Sequence, residues 1–398
     1  MIRLGTIGGI EIRVHASALA VFAGIAAAFA FFYLPEVTPS ATLLERLAVG
    51  FVVAFMLGGS IGLHELAHAL VARLRGKSVD SLTLYLFGAS ARINDRGLTA
   101  ADEIAIGVAG PLASGVLAVV FVVAGAALLP SSKPAGGLIL EIGFANALLG
   151  LFNALPGFPM DGGRVLRGIL WRASGNAVSA TRRASSIGRL FAYIIVALGP
   201  VLMVQGDVPA GIWVSATGWL LATLAQSYYR AMLLKIALDG LTVGDLCARD
   251  LPTLQTSDSV ASAAARFGGG ALSRTLPVLF GERPAGVIAD VQAAGVPASQ
   301  ANDIPIFSVM TRASEIPSLS PGVDAAILPA LLATAPSGAA IVESDGSFIG
   351  LVRREDVNRY VEMVEDLGNS VAAQKGVRGL TRLQMPNAPQ PRANPNQH

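Results

Sequence analysis

The sequence predicts a multi-pass α-helical membrane protein with six transmembrane helices and a short membrane-edge β-hairpin, followed by a cytoplasmic α/β unit of two repeats. Of the 398 residues, 53% are hydrophobic and only 14% are charged, and the mean hydropathy is +0.59. A soluble globular chain of this length is far more polar. The long apolar runs are confined to residues 1–240. We therefore expect a membrane domain over 1–240 and separate soluble domains after it.

Six apolar segments are long enough to cross a bilayer, because about 20 apolar residues span its hydrocarbon core. They are residues 16–35, 47–73, 104–130, 136–156, 188–205 and 211–234. Lysine and arginine alternate between the loops: five lie from Arg73 to Arg96 and six from Arg164 to Arg189, but none at 36–44 or 206–210. By the positive-inside rule both termini face the cytoplasm, and the protein belongs in the cell membrane.

Residues 78–93 depart from the helical pattern. Leu82, Leu84 and Leu86 alternate there with Thr83, Tyr85 and Phe87 at a period of two. This spacing predicts a short β-hairpin, with an ordinary loop strand as the alternative.

Composition excludes several kinds of chemistry. Cys247 is the single cysteine, so neither an intrachain disulfide nor a cysteine-based zinc cluster is possible, and a metal site must use His, Asp or Glu. The net charge of +2, without a dense basic stripe outside the membrane flanks, argues against a nucleic-acid partner.

The second apolar segment contains the run His64-Glu65-Leu-Ala-His68. Residues four apart lie on one face of a helix, so His64 and His68 can bind one metal ion with Glu65 beside them, within reach of a bound water. Ionisable groups in an apolar span are costly and mark functional sites. The alternative reading is a polar cluster that hydrogen-bonds neighbouring helices.

Catalytic zinc needs a third protein ligand and an open position for water. The carboxylates in or near the spans include Asp102, Glu103, Glu141 and Asp161, and spacing alone does not choose among them. Asp161 has the most informative surroundings, because two prolines and three glycines in the run 153–163 unwind the end of the fourth span. Such backbone can line a cavity at membrane depth. The alternative is a helix-ending turn in which Asp161 caps the next helix.

With these motifs in place, the chain resembles the site-2 protease family of intramembrane zinc metalloproteases, in the bacterial branch that carries CBS domains. The resemblance covers residues 1–235. It rests on HELAH at 64–68 and NALPGFPMDGG at 153–163, with support from GGIEIRVHAS at 8–17, LYLFGASARI at 84–93 and AGPLAS at 109–114.

The resemblance implies a residue-by-residue assignment. His64, His68 and Asp161 would bind one catalytic Zn²⁺, Glu65 would be the general base, and Asn153 would contact the substrate or the oxyanion. The chain departs from the family where Ser114 replaces the usual Asn of the third-span motif. The implied substrate is a transmembrane segment of a membrane-anchored protein, such as an anti-sigma factor. We hypothesise that the 82–87 strand holds the opened segment by β-strand addition.

The soluble part repeats one layout, strand, helix, two strands and helix, over 241–300 and 301–365. Both copies resemble CBS domains, through LPV…GVI at 276–288 and GLVRREDV at 350–357. CBS pairs commonly bind adenine nucleotides. The usual pattern places Ser or Thr three residues before Asp, whereas Arg353 precedes Asp356 here. Nucleotide sensing and homodimerisation or partner recruitment are therefore alternatives. Residues 366–398 are predicted to be a disordered tail.

A CBS-gated transporter or channel is the competing function, since intramembrane histidines could bind a transported ion. It does not account for Glu65 between the histidines or for the turn at 153–163. The two halves of the membrane region also do not read as inverted repeats.

Overall fold

The computed structural model describes residues 1–85, 88–93, 97–268 and 275–373. The chain divides into two compact units, Met1–Ala231 and Met232–His398. Six helical segments are long and apolar enough to cross a membrane: Ala16–Val37, Leu43–Leu74, Ala100–Leu128, Lys133–Ala154, Ala177–Val204 and Val208–Leu238. The predicted six-span fold is confirmed.

The helices of the first unit are numbered in chain order. The first span consists of α1 (Ala16–Ala28), a π-helical turn (Phe29–Tyr33) and α2 (Leu34–Val37), and it is followed by α3 (Leu43–Leu74), α4 (Ala100–Leu128), α5 (Lys133–Ala154), α6 (Asp161–Ser174), α7 (Ala177–Val204) and α8 (Val208–Leu238). Of these, α6 is the short helix that follows the Pro/Gly-rich run.

Helices α3 and α7 begin earlier than their apolar runs because polar residues cap them. In α3, the Thr42 hydroxyl accepts from the Glu45 backbone N–H while the Glu45 carboxylate accepts from the Thr42 N–H, which is a capping box. In α7, Asn176 caps the first turn through Ser179 N–H. The first turns of α7 bury polar side chains such as Ser179 and Thr181, so a hydropathy criterion places its start too late.

The predicted hairpin is present as β3 (Val79–Tyr85) and β4 (Gly88–Ile93), and it belongs to a four-stranded sheet with β1 (Ile2–Ile7) and β2 (Ile10–Val14). Residues Leu86 and Phe87 lie outside the described residues. The strand order is β1-β2-β3-β4, with β3 parallel to β2 and antiparallel to β4. The hypothesis that the 82–87 strand pairs with substrate is therefore wrong for the described part of β3, because both of its edges are already hydrogen-bonded.

One face of this sheet packs on the helix that carries the metal motif. Ile10 from β2 and Leu82 from β3 form a buried cluster with Leu66 and Ala69 of α3 and Ile106 of α4. Burial of these apolar side chains fixes the sheet against α3 and α4.

The segment between α5 and α6 is held by close backbone packing. A Cβ atom at Gly162 would overlap the carbonyls of Ala154 and Leu155, and one at Gly163 would overlap Gly157 and Phe158. The two glycines of the Asp-Gly-Gly run are therefore required for α6 to start directly against the end of α5. The Phe158 ring is fully buried and stacks on Tyr228, with ring centroids 4.3 Å apart.

The second unit contains the predicted repeat. The first copy consists of β5 (Leu254–Gln255), α10 (Val260–Gly268), β6 (Thr275–Phe280), β7 (Arg283–Ala289) and α11 (Asp290–Ala294), after the short helix α9 (Val243–Leu246). The second consists of β9 (Ser318–Leu319), α12 (Leu328–Thr334), β10 (Ala339–Ser344), β11 (Ser347–Arg353) and α13 (Arg354–Ala373), after β8 (Thr311–Arg312). In both copies the short first strand is parallel to the second, which forms an antiparallel hairpin with the third.

The two cores exchange segments across the boundary predicted at 300/301. Val243 and Leu246 pack with Leu328 and Val342 of the second copy. Ile306 conversely packs into the core of the first copy, and β8 extends its sheet beside β7. Each core therefore contains residues from both sides of position 300. The domain boundary at 300/301 stays a prediction.

The predicted start of the C-terminal tail, residue 366, is too early. Helix α13 continues to Ala373, because the apolar residues Val357, Val361 and Val364 recur at helical spacing and carry the helix past the last strand. Residues 374–398 lie outside the described residues.

Candidate active site

Three side chains meet inside the first unit. The Asp161 Oδ2 atom lies 3.0 Å from His64 Nε2 and 3.1 Å from His68 Nε2. One ligand atom from each residue lies within 4.8 Å of the others. The histidines are 4% and 3% exposed, so the group is closed to bulk solvent on most sides. The structure thus brings together the three residues predicted as metal ligands.

Helix α4 supports both imidazole rings from one face. Its Ile106 carbonyl lies 2.6 Å from His68 Nδ1, and its Ser114 hydroxyl lies 2.8 Å from His64 Nδ1. Between them is Gly110, where a Cβ atom would overlap both Nε2 atoms. The four-residue spacing of Ile106, Gly110 and Ser114 matches that of the histidines, because antiparallel helices present corresponding turns to each other.

The donor set fits a cation. A carbonyl oxygen can only accept, so His68 Nδ1 must carry a proton and donate it to Ile106. In the neutral ring, Nε2 then presents a lone pair toward the acceptor oxygen Asp161 Oδ2. Two lone pairs at 3.1 Å repel unless a positive charge lies between them. Two imidazoles and a carboxylate are a ligand set of catalytic zinc, which keeps a further position open.

Glu65 lies beside this group rather than in it. Its side chain is half-buried, and its ionisable neighbours are His68, Asp161, His64 and Arg164. The position agrees with a carboxylate that serves a group bound by the three ligands.

Asp161 reaches the histidines because α6 begins at this residue. A carboxylate in the first turn of a helix is favoured by the exposed N–H groups there. Two turns later, Arg167 forms a buried ion pair with Glu103 of α4, with Nη1 and Oε1 2.7 Å apart. This pair ties α6 to the helix that supports the imidazoles.

The other carboxylates considered as ligands have different contacts. Asp102 caps α4 through Thr99 and binds Arg75, Glu103 pairs with Arg167, and Glu141 is exposed on α5. Asn153, predicted to contact substrate, lies in the last turn of α5, where its Nδ2 donates to the Leu149 carbonyl. Asn153 is therefore not brought into the His–His–Asp group.

Sequence reasoning missed the residues that support the ligands. Ser114 was noted only as a departure from a family motif, yet it holds His64. The Ile106 carbonyl gives no signal in the sequence. The Glu103–Arg167 pair could have been suspected, since a carboxylate at the start of an apolar span needs a partner.

Two histidines of a membrane-spanning helix thus meet an aspartate, with a glutamate beside them. This is the arrangement of an intramembrane metalloprotease. The model of "Peptidase family M50" matches residues 52–137 and 135–198. "Putative zinc metalloprotease Rip3" of Mycobacterium tuberculosis is 29% identical over 91% of this chain and 93% of its own length.

Two solved structures show weaker overall similarity. "Site-2 Protease from Methanocaldococcus jannaschii" is 27% identical with a TM-score of 0.36, covering 56% of this chain and 94% of the other. The CBS-pair protein CBSX2 from Arabidopsis thaliana is 21% identical with a TM-score of 0.28, covering 32% and 98%.

By the family match and the mycobacterial relative, this chain is similar to peptidase family M50, the site-2 protease family. It is a multi-pass membrane protein and a zinc metalloendopeptidase of the site-2 protease type.

Proposed function

We propose that this enzyme cleaves peptide bonds within transmembrane segments of membrane-anchored proteins, with Zn²⁺ held by His64, His68 and Asp161 and with Glu65 as the general base. The observation that carries the proposal is the convergence of three ligand atoms from α3 and α6 inside the membrane unit. When bound, zinc makes water nucleophilic near neutral pH and polarises the scissile carbonyl.

Glu65 performs the proton transfers in this proposal. Its carboxylate takes the proton of the attacking water and returns it to the leaving amine. The half-buried position of Glu65 beside the ligands keeps the carboxylate close to the reacting atoms and limits the water around it. His64, His68 and Asp161 remain fixed through Ser114, Ile106 and the start of α6.

The roles separate in a variant series measured on purified protein in liposomes that contain a transmembrane model substrate. Glu65→Gln should keep one zinc per chain and lose at least about 10²-fold in cleavage rate. His64→Ala and Asp161→Ala should lose both zinc and cleavage. Glu141→Gln, which removes a carboxylate from the exposed face of α5, is the matched control. Full activity of Glu65→Gln would reject the assignment.

A substrate helix must open before its carbonyls become accessible, since its backbone groups are paired internally. We propose that the opened segment pairs with the outer edge of β4, because β1 and β4 are the two edge strands of this sheet and β4 follows β3, which packs on the metal-site helix. Successive N–H groups of a strand point to opposite sides. We therefore consider two separate variants, one with proline at 90 and one with proline at 91. One of them removes an N–H that faces β3, and the other removes an N–H that faces the free edge. Cleavage that tolerates both prolines would contradict the proposal.

We further propose that both termini are cytoplasmic, that the protein resides in the cell membrane, and that its substrate is a membrane-anchored regulator such as an anti-sigma factor. His68 lies five residues before Arg73, about 7.5 Å along the helix, which puts the metal site nearer the cytoplasmic side. Comparison of membrane proteins that accumulate with wild type and with Glu65→Gln tests the substrate class.

We propose that the repeated unit regulates the protease as a CBS pair, through a bound ligand or through homodimerisation. In the second copy the Asp356 carboxylate is occupied by the Arg353 guanidinium, with Nε and Nη2 each 2.7 Å from a carboxylate oxygen. This contact argues against nucleotide binding at Asp356. The mass of the full chain in nanodiscs, with and without ATP, distinguishes the two.

A further inference from the structure

Three buried polar side chains lie within about one helical turn of the proposed metal ligands. Ser60 precedes His64 by four residues on α3, Asn146 is on α5, and Ser114 is on α4. Their exposed fractions are 4%, 1% and 0%. Polar groups at such depth in a membrane protein need hydrogen-bond partners, because an unpaired one costs free energy.

The Asn146 amide has a determined orientation and one unused atom. Its nitrogen lies 2.9 Å from the Ile142 carbonyl and 3.1 Å from Ser60 Oγ. Because the carbonyl can only accept, this atom is Nδ2, which donates both hydrogens. Ser60 in turn donates to the Met56 carbonyl. Asn146 Oδ1 is buried and has no hydrogen-bond partner among the described residues.

Ser114 has the complementary requirement. Its contact with His64 Nδ1 is the single hydrogen bond that the described residues give it. When His64 binds a cation through Nε2, its remaining proton is on Nδ1 and is donated to Ser114 Oγ. The Ser114 hydroxyl hydrogen then needs an acceptor of its own.

The two unmet groups lie close together. On α5, Gly150 is packed so tightly on Ser114 that an added Cβ would lie 3.3 Å from the serine Cβ. Asn146 is one turn before Gly150 on the same face, about 6 Å along the helix. No direct hydrogen bond joins Asn146 Oδ1 to Ser114 in the described part of the chain, and an offset of one helical turn suits one bridging water.

We propose that Ser114 and Asn146 are positioning residues joined by one bound water, so that hydrogen bonds run in one direction from His64 Nδ1 through Ser114, the water, Asn146 and Ser60 to the Met56 carbonyl. Every donor and acceptor in this chain is used once in its proper sense. The chain fixes the His64 tautomer with its lone pair on Nε2, directed at Asp161. The inference rests on the proposed metal site.

The test is zinc affinity of the full-length protein in detergent, measured by competition with a chromogenic chelator. Ser114→Ala and Asn146→Leu should each weaken zinc binding about 10- to 100-fold, as expected when an outer partner of a metal-bound histidine is lost. The double variant should bind zinc no more weakly than the single variant with the lower zinc affinity, because either change interrupts the same series of hydrogen bonds. Asn146→Asp, which when protonated keeps a donor and an acceptor, should lose less than Asn146→Leu.

Ser185→Ala is the matched control. Ser185 is 1% exposed and donates to the Ala225 carbonyl between α7 and α8, so its loss should leave zinc affinity unchanged. Thermal unfolding in chelator reports the stability of the metal-free form. A purely structural role would lower that melting temperature without changing zinc affinity.

Wild-type affinity in Asn146→Leu, or losses that multiply in the double variant, would overturn the inference. If Asn146→Leu does not fold, equal affinity of Ser114→Ala and wild type overturns it instead. Failure of the wild-type protein to bind zinc would instead reject the proposed function.

Discussion

Breaking the buried ion pair between Glu103 and Arg167 should destabilise the membrane unit and loosen the metal site together. The two side chains are 1% and 4% exposed, and the pair connects α4 with α6, which starts at Asp161. We consider the variants Glu103→Gln and Arg167→Met and their combination. Each single change leaves the other charged side chain buried without its ion-pair partner.

The expected cost of removing one partner of such a pair is about 3–5 kcal/mol. The structure further predicts an order between the two variants. In Arg167→Met, Glu103 still has the Arg164 Nε atom 3.6 Å away. In Glu103→Gln, the partners that the described residues leave to Arg167 are neutral, namely the Thr181 hydroxyl at 2.8 Å and the Trp171 ring. Glu103→Gln should therefore lie at the upper end of the range and Arg167→Met at the lower.

The free energy of unfolding can be measured by titration of the detergent-solubilised protein with a denaturing detergent, in the presence of chelator. Zinc affinity is measured in parallel. The double variant should be more stable than the sum of the single losses predicts, since it leaves no unpaired charge. Arg182→Ala, at an exposed position of α7, is the control for loss of an arginine.

Additive losses in the double variant would refute the reasoning, because they would show that the two groups act independently. Lower stability with unchanged zinc affinity would refute the specific claim that the pair places Asp161.

Three other predictions follow from single contacts. Gly110→Ala should weaken zinc binding at least about 10-fold, because its Cβ would overlap the ligand atoms, whereas Gly115→Ala on the same helix, with nothing within 4 Å, should bind zinc normally in the same competition assay. Burial raises the pKa of the Cys247 thiol to about 11; since the thiolate reacts, alkylation of the folded protein by iodoacetamide should be slow at pH 8 and rise about tenfold per pH unit up to that pKa. Arg353→Thr frees Asp356 and restores the Thr-x-x-Asp spacing, so calorimetry should detect adenine nucleotide binding to the variant and none at this position in the wild type.

The sequence predicted the main architecture because hydropathy, charge alternation and helical spacing are local properties. The spacing in residues 64–68 is enough to propose two metal ligands, and the repeat in the second unit follows from its two similar runs. The hairpin at 78–93 was visible from its alternation with a period of two. Boundaries were poorer where polar residues such as Thr42 and Asn176 extend a helix beyond its apolar run.

The remaining features depend on tertiary pairing. Spacing left four carboxylates open as the third ligand, and Asp161 differs from Glu103 only through what each meets after folding. The position of β3 inside a sheet required knowledge that the N-terminal hairpin joins it. The exchange of Ile306 and Val243 between the two cores likewise has no local signal.

The wide separation of the ligands in the chain has a consequence for biogenesis. His64 and His68 emerge from the ribosome 97 and 93 residues before Asp161. Until α6 has been synthesised and docked, the histidine pair lacks its anionic partner and holds metal poorly. If His64, His68 and Asp161 hold the zinc as proposed, the nascent chain does not cleave neighbouring helices in the translocon, and the protease becomes active only after four spans have been inserted.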